Sequence, residues 1–63
     1  MMKFTNADDL SSTASRLNLA GWYAQDSDGD YLGVVRQVED DWMVGFLHLK
    51  DVPFPVSLDR IPK

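Results

Sequence analysis

The most regular hydrophobic pattern in the chain lies in its second half, between residues 31 and 49. The segments 31–38 (YLGVVRQV) and 42–49 (WMVGFLHL) are rich in valine, leucine and aromatic residues, which favour β-strands. The acidic segment Glu39-Asp40-Asp41 separates them. Two apolar runs joined by a short polar break are typical of a β-hairpin, so we predict strands at 31–38 and 42–49.

The segment before the hairpin predicts a helix. Leu10, Ala14 and Leu17 recur with the spacing of one helix face, and Thr5 and Asn6 are both residue types that commonly cap a helix N-terminus. We therefore place a helix at about residues 6–18. It is rich in serine and threonine, which are mediocre helix formers, so we expect it to depend on packing against the sheet.

Two further short strands complete the predicted fold. They lie at about 22–25 and 56–61, and the second alternates apolar and polar side chains. The segment 26–30 (DSDGD) is the strongest turn signal in the chain. We predict a single small α+β domain over residues 1–63, with an N-terminal helix packed on a strongly twisted, mostly antiparallel four-stranded sheet that is SH3-like if it closes.

The register of the hairpin is left open by the sequence. A two-residue loop, Asp40-Asp41, places the even-numbered residues of the first strand beside the odd-numbered residues of the second. A three-residue loop, 39–41, places even beside even. The first arrangement gives the more uniformly apolar face, so we prefer it. In either arrangement we expect Leu32, Val34 and Val38 to point into the core.

The opposite face of the hairpin also keeps large apolar side chains, more than one short helix can cover. We therefore predict it to be a contact surface for a partner. Phe54 stands between Pro53 and Pro55, which favour an extended backbone, so we add it as a possible anchor. The predicted partner-binding residues are Tyr31, Val35, Trp42, Val44, Phe46 and Phe54.

The charge balance is acidic, with a net charge of −4 and nine of the ten acids being aspartate. The six basic residues are scattered, which disfavours direct binding of nucleic acid because phosphate contacts need clustered lysine and arginine. Aspartate is common in turns, so turn chemistry and solubility explain most of the acids. The alternative is an acidic surface for a basic partner, with these residues: Asp26, Asp28, Asp30, Glu39, Asp40 and Asp41.

The chain has few means of stabilising itself apart from packing. Burial of apolar surface on folding contributes about 93 kcal/mol for a 7.1 kDa chain, and ordering its 63 residues costs about 95 kcal/mol. It has no cysteine and one histidine, so disulfides and zinc cages are excluded. We therefore expect another protein or a second copy of the chain as the partner.

Candidate chemistry is sparse. The acids of 26–30 resemble the start of a calcium loop, but Tyr31 and Gln37 replace the glycine and glutamate that such a loop needs later. His48 has no recognisable nucleophile or acid partner. We predict no enzyme activity, no metal and no cofactor. Without an apolar leader or a long apolar run, we expect a cytoplasmic protein.

Three short segments resemble a known family. Gly21-Trp22-Tyr23, Gly29-Asp30-Tyr31 and the segment 55–61 (PVSLDRI) are similar to parts of the SH3-like barrel of the plasmid-borne type II dihydrofolate reductases. The Val-Gln-Ile-Tyr active-site stretch of that family is absent, and the segment 51–54 (DVPF) stands in its place. The resemblance implies a small curled sheet, and no activity or site residue is carried over.

Three functions are therefore compatible with the sequence. The first is a non-catalytic protein-binding module that uses the aromatic face of the sheet. The second is a small acidic inhibitor, of the kind made by phages, that mimics nucleic acid in the basic groove of its target. The third is a structural homo-oligomer.

Overall fold

The computed structural model describes residues 1–62 and has one helix and one six-stranded sheet within them. Every hydrogen-bonded strand pair in this part of the chain is antiparallel, and the strand order is β1-β6-β2-β3-β4-β5. The elements are β1 (Met2–Phe4), α1 (Ala7–Leu17), β2 (Trp22–Asp26), β3 (Tyr31–Val38), β4 (Asp41–Val44), β5 (Leu47–His48) and β6 (Val56–Arg60), with a 3-10 turn at Leu49–Asp51.

The small α+β domain agrees with the sequence prediction, but the sheet has six strands rather than four. Its edges are β1 and β5, which are not hydrogen-bonded to each other within residues 1–62. The sheet is therefore open, and closure into an SH3-like barrel is not confirmed. Across the same residues, the structure contains no helix with the length and apolarity needed to cross a membrane.

Two asparagines mark the ends of α1. At its start, Asn6 Oδ1 accepts a hydrogen bond from the Asp9 amide at 2.9 Å, and Asn6 Nδ2 donates to Asp9 Oδ2 at 3.2 Å. This reciprocal pair satisfies an amide that the helix itself cannot. At its end, Asn18 adopts a left-handed conformation with φ 54°, which stops the helix and turns the chain toward the sheet.

The predicted strand at 42–49 is interrupted. Gly45 takes a positive φ of 60° and forms a tight turn with Phe46, so the segment folds back as the short hairpin β4–β5. The strand β1 was not predicted from the sequence. It has three residues, too few for a periodic pattern, and it forms only by pairing with β6.

The middle strand β3 is shared between two parts of the sheet. Its first half pairs with β2 and its second half pairs with β4. A β-bulge lies between the partners of Ala24 and Gln25, so Leu32 is an extra residue and Tyr31 falls on the same side as Val34. At this bend Gly33 approaches Gly45 so closely that an added Cβ would lie 2.8 Å from the Gly45 Cα and nitrogen.

The hydrophobic core lies between α1 and one face of the sheet. Leu10 and Ala14 of the helix are fully buried, whereas Leu17 is 53% exposed and Leu19, just after the helix, is buried in its stead. The indole Nε1 of Trp42 donates to Ser15 Oγ at 2.9 Å and so links β4 to the helix. The sheet contributes Phe4, Ala24, Val35, Trp42, Val44, Val56 and Leu58, and the 3-10 turn region adds Leu49 and Val52.

The hairpin register places the predicted faces the other way round. The loop is Glu39-Asp40, with Val38 paired to Asp41 and Arg36 to Met43. Even-numbered residues of β3 do stand beside odd-numbered residues of β4, as in the preferred register, but the loop is shifted by one residue. The expectation that Val34 and Val38 form the buried side is wrong, because Val35, Trp42 and Val44 face the helix instead. Leu32, the extra residue of the bulge, is half-buried and does pack against the core.

Candidate interaction surface

The side of the sheet that faces away from the core is partly apolar and has no second layer over it within residues 1–62. We call it the outer face, and its members follow from the strand pairing: residues directly opposite each other in a ladder point to the same side. They are Lys3, Tyr23, Gln25, Tyr31, Val34, Arg36, Val38, Asp41, Met43, His48, Ser57 and Asp59.

Aromatic and aliphatic side chains occupy the centre of the outer face. Tyr23 and Val34 are directly opposite each other and half-buried, as is Met43 on the next strand. Tyr31 is 64% exposed, and its ring centroid lies 6.4 Å from that of Tyr23, with 31° between the two planes. Tyr23, Val34 and Met43 are therefore only partly covered, and Tyr31 is largely exposed.

Phe46 is the most exposed aromatic side chain of the described residues, with 91% of its surface accessible. It stands at the tip of the β4–β5 turn, next to the outer face. The Arg36 guanidinium lies 5.3 Å from the centre of the Phe46 ring, and Arg36 Nε donates to the Gly45 carbonyl at 3.1 Å. Arg36 therefore links to the turn through a hydrogen bond and makes a cation–π contact with the Phe46 ring.

A shallow groove of about 340 Å³ runs beside Phe46. Its lining includes Gly33 and Gly45, which approach each other closely and have no side chains to fill the groove. A volume near the lower end of the range for ligand pockets suits one large side chain better than a cofactor. The lining residues are Tyr31, Leu32, Gly33, Val34, Arg36, Gly45 and Phe46.

The first acidic cluster, Asp26 with Asp28 and Asp30, is held in a turn by hydrogen bonds that involve its backbone. Asp26 Oδ1 accepts hydrogen bonds from the amides of Asp28 and Asp30, each at 2.9 Å, and the Asp26 amide donates to the Asp30 carbonyl at 2.9 Å. Gln25 Nε2 also donates to the Gly29 carbonyl at 3.1 Å. Asp26 is half-buried, and its carboxylate is engaged in hydrogen bonds within the turn. Asp28 and Asp30 are exposed to solvent.

The second acidic cluster, Glu39 with Asp40 and Asp41, is exposed at the other end of β3. A groove of about 350 Å³ lies next to it. Within residues 1–62, no group of three or more histidine, cysteine or acidic side chains is arranged to hold a metal ion. The lining residues are Ala7, Asp8, Ser11, Asp40, Asp41, Trp42, His48, Leu49 and Lys50.

The six predicted partner-binding residues are distributed over both sides of the sheet. Tyr31 and Phe46 are on the surface, beside the groove. Phe54 is half-buried and packs on the core from the loop before β6. The other three belong to the core and cannot reach a partner in this fold: Val35, Trp42 and Val44.

The sequence reasoning did not include Tyr23, Val34, Arg36 or Met43 in the contact surface. The alternation of the chain signals two apolar faces, and only the position of the helix decides which one is covered.

A search with protein-family models, with curated proteins and with solved structures finds no match to this chain. The outer face is therefore interpreted from its own geometry.

Proposed function

We propose that this protein is a non-catalytic protein-binding domain whose contact surface is the outer face around Phe46. The observation that carries the proposal is the exposure of Phe46, 91% accessible, beside an apolar groove. A large aromatic side chain gains most from burial, and aromatic and arginine side chains dominate the energetics of protein interfaces. Arg36 adds such a group directly next to the ring. A cytoplasmic location remains part of the proposal.

Because Phe46 is exposed, its role in binding can be tested without unfolding the domain. A side chain that contributes little to the core can be replaced without loss of the domain, unlike the buried Trp42. Leu17 offers a matched control because it is an exposed apolar residue on the helix, away from the outer face. Comparing Phe46→Ser with Leu17→Ser therefore separates specific binding through this surface from nonspecific hydrophobic binding.

We expect Phe46→Ser to abolish capture of partner proteins from a lysate of the native host by the immobilised chain. Loss of a central aromatic anchor weakens an interface by about 2 kcal/mol or more, roughly 30-fold in affinity. The measurement is quantitative mass spectrometry of the captured proteins, with the chain itself counted among them. Proteins captured equally by the native chain and Phe46→Ser, but not by Leu17→Ser, would contradict the proposal.

A second candidate function is the acidic inhibitor, and one observation favours it. Five of the six predicted acidic residues are exposed, in two clusters at opposite ends of β3. An eight-residue strand separates such clusters by about 26 Å. Duplex DNA carries roughly one charge per 1.7 Å of its axis, so two clusters with Arg36 between them reproduce that charge only in part.

The double variant Asp28→Asn with Asp30→Asn tests the inhibitor. Both residues donate only their backbone amides to the turn, so the substitutions remove charge and keep the fold. If the protein is an acidic inhibitor, high salt and excess duplex DNA release the captured proteins. The double variant then captures at least tenfold less of these proteins than the native chain. The control is Asp9→Asn with Asp51→Asn, the same charge change at exposed residues that belong to neither cluster and do not line the groove beside the second one. Capture that survives salt and DNA eliminates this candidate.

A further inference from the structure

We propose that the outer face binds a second copy of this chain, with Phe46 of each copy seated in the groove of the other. The inference rests on the proposed function, since it names the partner of the same surface. It commits to a symmetric dimer, in which both copies use the same patch. Three features of the structure lead to it: the charge of the face, the placement of Phe46 beside the groove, and the size of the face.

The charges of the outer face cancel, although the whole chain carries −4. The face has two basic residues, Lys3 and Arg36, and two acidic ones, Asp41 and Asp59. The excess of acids lies in α1 and in the turns. Two copies can therefore approach through this face without the repulsion that their net charge produces elsewhere, whereas a strongly basic partner gains little from a neutral patch.

The projecting side chain and the groove lie on the same patch, which is the requirement for a two-fold symmetric interface. In such an interface residue i of one copy contacts residue j of the other, and j contacts i. Phe46 is itself one wall of the groove, so the two-fold axis would pass close to its ring. Each ring then covers Gly33 and Gly45 of the other copy and packs against Val34.

A dimer interface of standard size would use nearly all of the outer face. The two larger dimensions of the molecule are 29 and 27 Å, so a rectangle of about 780 Å² encloses the face, and a standard interface buries about 800 Å² per partner. That is close to a fifth of the 4259 Å² that the chain exposes to solvent. For a domain of 63 residues such burial is a large addition to its hydrophobic stabilisation.

Sedimentation velocity over a concentration series of the full chain tests the dimer. We expect the native chain to shift from monomer to dimer below about 1 mM, which is the weak end of specific association. Phe46→Ser should raise the dissociation constant roughly 10- to 100-fold, and Leu17→Ser should leave it unchanged. Circular dichroism of each variant verifies that the fold is retained. A native chain that stays monomeric at 1 mM, or a dimer unaffected by Phe46→Ser, overturns the inference.

A second measurement needs no substitution and locates the interface. In an isotope-filtered NOE experiment on mixed labelled and unlabelled chains, only contacts between copies give signals. We expect signals from the Phe46 ring to the methyl groups of Val34 and Leu32. If the dimer forms through other residues, these signals are absent and the inference fails.

The outcome also separates this inference from the proposed function. If the native chain is monomeric but captures another protein in a way that depends on Phe46, the second copy is ruled out and the binding surface stands. If neither self-association nor capture depends on Phe46, both proposals fail.

Discussion

Replacing Trp42 with alanine is expected to remove much or all of the stability of the domain. Trp42 is only 6% exposed, lies in the core between β4 and α1, and donates its indole N–H to Ser15. Truncation of a buried tryptophan costs about 3–5 kcal/mol. At about 0.05–0.15 kcal/mol per residue, a chain of 63 residues has roughly 3–9 kcal/mol in total. The near-ultraviolet circular dichroism spectrum and the thermal transition measure the loss.

Trp42→Phe is the matched variant for this experiment. It keeps an aromatic ring in the core and removes the indole donor, and the Ser15 hydroxyl it leaves behind belongs to an exposed residue that water can reach. We therefore expect a folded protein destabilised by about 1–2 kcal/mol. A Trp42→Ala protein that unfolds at the same temperature as the native chain would show that Trp42 is not part of the core.

The second large effect is expected at Gly33. A Cβ at this position would stand 2.8 Å from two backbone atoms of Gly45, and backbone cannot rotate away as a side chain can. Its φ of 146° also lies in a region that residues other than glycine rarely adopt. We expect Gly33→Ala to lower the free energy of unfolding by about 2–4 kcal/mol, measured by urea denaturation, because the bend of β3 must open.

Gly21→Ala is the control that isolates the close contact. Gly21 has a φ of 92°, also strained for alanine, but nothing lies within 4 Å of an added Cβ. Backbone strain alone should cost about 1 kcal/mol. Equal losses for the two variants would mean that the contact with Gly45 contributes nothing beyond the backbone conformation.

The parts of the fold with strong local signals were predictable from the sequence. The helix follows from a capping residue and a periodic apolar face, and the turn at 26–30 follows from its aspartates and glycine. Short elements such as β1 were not predictable, because a three-residue strand is specified by its partner β6. The break at Gly45 was missed since glycine within an apolar run resembles a continuing strand.

The orientation of the hairpin could not be predicted because both of its faces are apolar. The decision depends on long-range packing, in which Val35, Trp42 and Val44 meet Leu10 and Ala14 of the helix. The bulge at Leu32 then shifts the alternation, which no counting of residues reveals. For the candidate surface, Phe46 and Tyr31 were named from the sequence because they are large and aromatic, whereas Val34 and Met43 required the register.

The sharing of β3 between two half-sheets has a consequence for energetic coupling. The groove beside Phe46 is lined by Gly33 from one half-sheet and Gly45 from the other. If the groove binds a side chain as proposed and that side chain contacts both glycines, binding and the bend of β3 are thermodynamically linked, each favouring the other. The same linkage then predicts that the stability of this small domain rises with the concentration of the bound partner.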